Sequence, residues 1–101
     1  MFFRSKQQLE TELSKWALMN FSGELAPAAC AAAKALHEQL GVGIPALKPN
    51  HGLRDHLALD ELEAEGMKLH FAEIGIRIDV QELMSLDTIE DLVKFLDQRL
   101  K

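Results

Sequence analysis

Four stretches of this chain carry apolar residues at steps of three and four, separated by glycine and proline, and this commits the chain to amphipathic helices that bury one face against each other. The first is predicted over residues 6–20. It places Leu9, Leu13 and Trp16 on one face, turns Lys6, Glu10 and Glu12 mostly elsewhere, and stops at Ser22-Gly23. The second is predicted over residues 27–40, with Pro27 in the first turn, where no amide donor is needed, and Gly41 in the left-handed position that ends a helix. Cys30, Ala33, Leu36 and Leu40 fall near one face, so Cys30 reads as a small core residue rather than a reactive thiol.

The third helix is expected over residues 60–75, with Asp60 as its N-cap and Glu61, Glu63 and Glu65 near the positive end of the helix dipole. Leu59, Leu62, Leu69 and Ala72 supply most of its apolar stripe, with Met67, Phe71 and Ile74 beside it. Gly66 interrupts that stripe at a cost of roughly 1 kcal/mol relative to alanine. It therefore marks a close crossing, a flexible point or room for something bound. Ile76 and Ile78 are expected to bury a turn, residues 80–84 to form a short helix, and residues 87–100 the last one. There Ile89, Leu92, Val93, Leu96 and Leu100 form a stripe, and Asp87 with Glu90 three residues on has the pattern of a capping box. Residues 43–55, with two prolines, Asn50 and two glycines, read as a long irregular connection. No stretch alternates as a strand does, so the expected fold is all-α, a small helical bundle with up to five helices.

A length of 101 residues allows a single modest core. One cysteine excludes an internal disulfide and suits a reducing compartment. With no apolar run fit for a signal peptide or a membrane span, a cytoplasmic protein without membrane association is expected. The net charge of −5 is unevenly spread: between residues 55 and 91 eleven acidic residues face only Lys68 and Arg77, while the rest of the chain is net basic. Such a field repels nucleic acid and favours a protein partner with a basic surface; an ordinary solubilising face has the same composition.

Several short segments occur in a telling order. Glu38-Gln39-Leu40-Gly41-Val42 is followed by Leu47-Lys48-Pro49, Leu53 and Asp55-His56-Leu57, then by Leu57-Ala58-Leu59-Asp60-Glu61-Leu62. Glu73-Ile74-Gly75-Ile76-Arg77-Ile78 and Thr88-Ile89-Glu90-Asp91-Leu92 come after them. In this order and spacing the last three quarters of the chain resembles the acyl carrier protein family. Carriers read Asp-Ser-Leu where this chain reads Asp60-Glu61-Leu62, and their serine is esterified by 4'-phosphopantetheine. The segment from Glu61 to Gly75 is one residue shorter than in the family. The resemblance thus implies a carrier-like bundle over residues 23–101, with residues 1–22 an extra helical extension. It also implies a degenerate attachment position at Glu61, no phosphopantetheine, no catalysis, and docking through an acidic face that includes Asp55, Glu63, Glu65 and Glu73. A partner from fatty acid, polyketide or peptide synthesis follows from the same likeness.

Three readings of Glu61 remain open: a glutamate that stabilises the helix dipole, a carboxylate that stands in for a carrier's phosphodiester, and a general acid or base. An alternative attachment serine is Ser85, since Ser85-Leu86-Asp87-Thr88-Ile89-Glu90 echoes the run that follows the carrier serine; 4'-phosphopantetheine would then be the cofactor. Met84 replaces the preceding aspartate, however, and too little chain follows for the remaining helices, so Ser85 or Asp87 reads as a helix start. His51, His56 and His70, with Asp55 and Asp60, contain metal-ligand types at spacings that match no usual zinc or EF-hand pattern. The face of Leu9, Leu13 and Trp16 is expected either to pack on the bundle or to make a homodimer contact, because a lone helix of that length is marginal in water.

Overall fold

The structure is a computed structural model and describes residues 6–100. It is mostly helical, with five α-helices and no strand among the described residues: α1 (Lys6–Asn20), α2 (Ala26–Leu40), α3 (Glu61–Glu73), α4 (Val80–Ser85) and α5 (Ile89–Leu100). A single turn of 3-10 helix, Ile44–Ala46, lies in the long connection between α2 and α3.

Helix α2 lies at the centre, packed against α1, α3 and α5. Its composition explains the position. Ala28, Ala29, Ala32, Ala33 and Ala35 are all buried together with Leu36, and side chains this small let three neighbours approach one helix. Gly41 ends α2 at φ 72°, the left-handed conformation expected of it, with its amide donating to the His37 carbonyl. Cys30 is half-buried and its thiol is pushed above the ordinary cysteine value by burial, which a hydrogen bond to Ser14 partly opposes. Leu40, like Cys30, is only partly buried, so the buried face of α2 is set by the alanines and Leu36.

The apolar face of α1 packs inside the molecule. Leu13, Trp16 and Ala17 are buried in the common core, with Leu9 packed against it. The Trp16 indole donates to the Leu47 carbonyl at 2.8 Å, which fastens the long connection to α1. Ile44, Leu47 and Leu53 bury that connection from within, and Ile76 and Ile78 bury the turn after α3 as expected.

The connection also completes the start of α5. The amides of Ile89 and Glu90, which have no partner inside the helix, donate to the carbonyls of His51 and Pro49 at 3.1 and 2.9 Å. Leu53 donates back to Asp87, and Gly52 forms an isolated antiparallel bridge with Thr88. Arg54 then donates to the carbonyls of Met84 and Leu86 and pairs with Asp87 at 3.0 Å. At the other side, Arg99 donates to the Arg77 carbonyl and pairs with Glu82 at 2.6 Å. The Glu82 carboxyl is held below its ordinary value first by the Asp79 amide that it accepts from, and then by Arg99.

Two expectations about helix ends need correction. The cap of α5 is Thr88, not Asp87: the Asp91 amide donates to Thr88 Oγ1, and Asp91 Oδ2 accepts from the Thr88 amide. Asp87 is drawn out of the capping position by Arg54 and by the bridge that its carbonyl makes to Leu53. Ser85 does not start a helix either. It is the last residue of α4, and its hydroxyl donates to the Glu82 carbonyl at 2.6 Å.

Candidate functional site

Asp60 caps α3 in the way its sequence predicts. Its carboxylate accepts from the Glu63 amide at 2.8 Å, while Glu63 reaches back to the Asp60 amide. The chain enters this cap through Ala58, the only non-glycine described residue at positive φ, 56°, and through a Leu59 amide bonded to the Leu53 carbonyl. Both features tie the first turn of α3 to the connection that also starts α5.

Of the expected apolar stripe of α3, Leu59 is buried just before the helix, but the residues on the helix itself are turned outward. Ala64, Met67 and Phe71 face the core, whereas Leu62 is 80% exposed and Leu69 68% exposed, with Ala72 and Ile74 also outside. Electrostatics explains the choice. At 100° per residue Glu65 and Glu73 flank Leu62 and Leu69 closely, so turning the leucines inward would carry both carboxylates toward the core, at a cost far above that of two exposed leucines. Gly66 marks a close crossing: the Gln39 amide of α2 occupies the space that a side chain there would need.

The outer face of α3 therefore presents Leu62 and Leu69 between Glu61, Glu65 and Glu73. None of these three glutamates makes an ion pair among the described residues. Lys68, the one lysine of the helix, is half-buried. Of the other acidic positions, Glu63 is engaged in the cap, and Asp55 lies on the preceding loop, where it lines a cleft with Asp87 and Thr88. The structure thus brings Glu61, Glu65 and Glu73 to one surface and leaves Asp55 and Glu63 with other neighbours.

Other chemical candidates are dispersed. His51 and His56 stack with ring centroids 4.8 Å apart, and His56 Nδ1 accepts from the Gly52 amide. His70 lies 3.3 Å from a Glu38 carboxylate oxygen on α2. Among the described residues no three histidine, cysteine or carboxylate side chains are grouped to hold a metal. An open groove of about 420 Å³ between α1, α2 and α3 contains Ser14, Cys30, Lys34 and His70 over an apolar floor that includes Phe71. No helix among the described residues is long and apolar enough to cross a membrane.

No sequence motif marks Arg54, whose contacts join the connection to the α4–α5 junction, because its partners are backbone carbonyls thirty residues away. The exposed Leu18 and Met19 of α1, beside Lys15, were likewise hidden: Leu18 lies opposite the face that the periodicity marks, and Met19 at its edge.

Comparison of the chain with models of protein families, with curated proteins and with solved structures gives no match in any of the three.

Proposed function

We propose that this chain is an acyl-carrier-like docking module without the carrier's covalent chemistry, which contacts a protein with a basic surface through the outer face of α3. The observation that carries the reading is that exposed face, where Leu62 and Leu69 stand between three carboxylates that no base within the described residues neutralises. Two leucines held in water supply little to the fold, and an apolar centre within a charged border is what an interface of moderate affinity needs. The carboxylates steer a basic partner and weaken the complex as salt rises.

The order of elements supports the carrier part of the reading. A long helix, a long tied-down connection, a recognition helix, a short helix and a final helix follow one another as the resemblance implies for residues 23–101, with α1 added in front. Glu61 stands exposed in the first turn of α3, where a carrier reads serine. A carboxylate cannot form the phosphodiester that a hydroxyl forms, and it supplies negative charge beside the capped N-terminus. No cofactor and no catalysis belong to this role. A partner from fatty acid, polyketide or peptide synthesis, in the cytoplasm, is the setting that the resemblance implies.

The alternative is a working carrier modified at Ser85. It is disfavoured because Ser85 ends a six-residue helix and donates its hydroxyl to that helix's own backbone. Incubation with a phosphopantetheinyl transferase and coenzyme A, read by intact mass, separates the two. The expected result is an unchanged mass; a phosphopantetheine increment mapped to Ser85 would replace the docking reading with the carrier one.

A further inference from the structure

A second exposed apolar patch lies outside the acidic stretch of the same chain. Met19 is 74% exposed and Leu18 62%, at the C-terminal end of α1. Met19 borders a groove of about 450 Å³ between α1 and the 3-10 turn, which Trp16, Pro45 and Leu47 also line. Lys15 and Lys48 stand at its edges, and Glu12 also lines it. Neither lysine makes an ion pair among the described residues.

This patch is the counterpart of the α3 face in both respects. One surface offers leucines bordered by Glu61, Glu65 and Glu73; the other offers Met19 and an apolar groove whose charged lining, Lys15 and Lys48 against Glu12, is basic by one charge. Resting on the docking reading of α3, we propose that one occupant of that face is a second copy of this chain, whose α1 groove receives Leu62 and Leu69. Charge complementarity selects the occupant: two α3 faces repel one another, and so do two α1 grooves, whereas one of each attracts. The contact joins unlike surfaces, so it is heterologous, and both surfaces remain available on every chain to extend or close the assembly. Because the attraction is between exposed charges, it is screened within a Debye length of about 8 Å at physiological ionic strength.

Charge reversal tests this. Lys15→Glu with Lys48→Glu makes both surfaces acidic, and Glu65→Lys with Glu73→Lys makes both basic while sparing Glu61 and the α3 cap. Helical circular dichroism checks that each variant is folded. By light scattering across a dilution series, the wild-type chain should exceed its monomer mass at high concentration and return to it in high salt. Each double variant alone should associate at least about tenfold more weakly, because like charges then face one another across the contact. Mixed together, the two variants should associate again, since each acidic surface then meets a basic one. A wild-type chain that stays monomeric throughout, or a mixture that stays monomeric while the wild type associates, overturns the inference. The docking reading fails separately, when a basic partner binds and leaves Glu61, Leu62, Glu65, Leu69 and Glu73 unperturbed.

Discussion

Helices α3 and α5 both close the core, but they reach it from opposite starting points in composition. In α5 most apolar residues share one side: Ile89, Leu92, Val93 and Leu96 are buried, Phe95 packs at the edge under Arg99, the expected stripe residue Leu100 is exposed at the helix end, and Glu90, Asp91, Lys94, Gln98 and Arg99 occupy the rest of the surface. Only one orientation buries that stripe. In α3 apolar residues occur all the way round, with Ala64, Met67 and Phe71 inside and Leu62, Leu69 and Ala72 outside. Two orientations are compatible with periodicity there, and the positions of the glutamates decide between them. The contrast teaches that a helix with surplus apolar residues is the place to look for a second contact, because the core takes one face and leaves the other unsatisfied.

The largest test of this contrast is a set of three truncations read by denaturant unfolding. Leu96→Ala removes buried methyl groups from the core face of α5 and should cost about 2 to 5 kcal/mol. Leu62→Ala and Leu69→Ala should each change stability by less than about 0.5 kcal/mol, as exposed positions do. Equal losses at the three sites would put Leu62 and Leu69 in a core and remove the basis for the docking face. A smaller effect concerns the α5 start. Thr88→Ala should cost about 1 kcal/mol through loss of the cap, and Asp87→Ala less, because Asp87 contributes only an exposed pair with Arg54. The reverse order would restore the cap at Asp87.

Much of the fold was legible from local signals. The span of α1 matches its sequence expectation, as do the cap at Asp60 and the stop at Gly41, since each depends on residues within one or two turns. The turn that buries Ile76 and Ile78 was legible for the same reason. The errors have a common origin in contacts distant along the chain. Asp87 gave up the α5 cap because Arg54 and Leu53, more than thirty residues earlier, hold it elsewhere. The α3 stripe was misassigned because helix period alone weighs leucines and ignores the cost of moving Glu65 and Glu73 toward the core. At the candidate site, the acidic composition around α3 was visible in the sequence. The exposure of Leu62 and Leu69, on which the docking proposal rests, required the packing of α3 on α2, with Met67 and Phe71 inside, to be known.

The central claim is that α3 keeps its outer face for another protein. Its most direct test is a titration of the isotopically labelled chain with a condensing enzyme of fatty acid synthesis, followed by backbone amide shifts. The account predicts that shifts concentrate at Glu61, Leu62, Glu65, Leu69 and Glu73, diminish as salt is raised, and spare the buried stripe of α5. Binding that perturbs other surfaces while those five residues stay unchanged would contradict it.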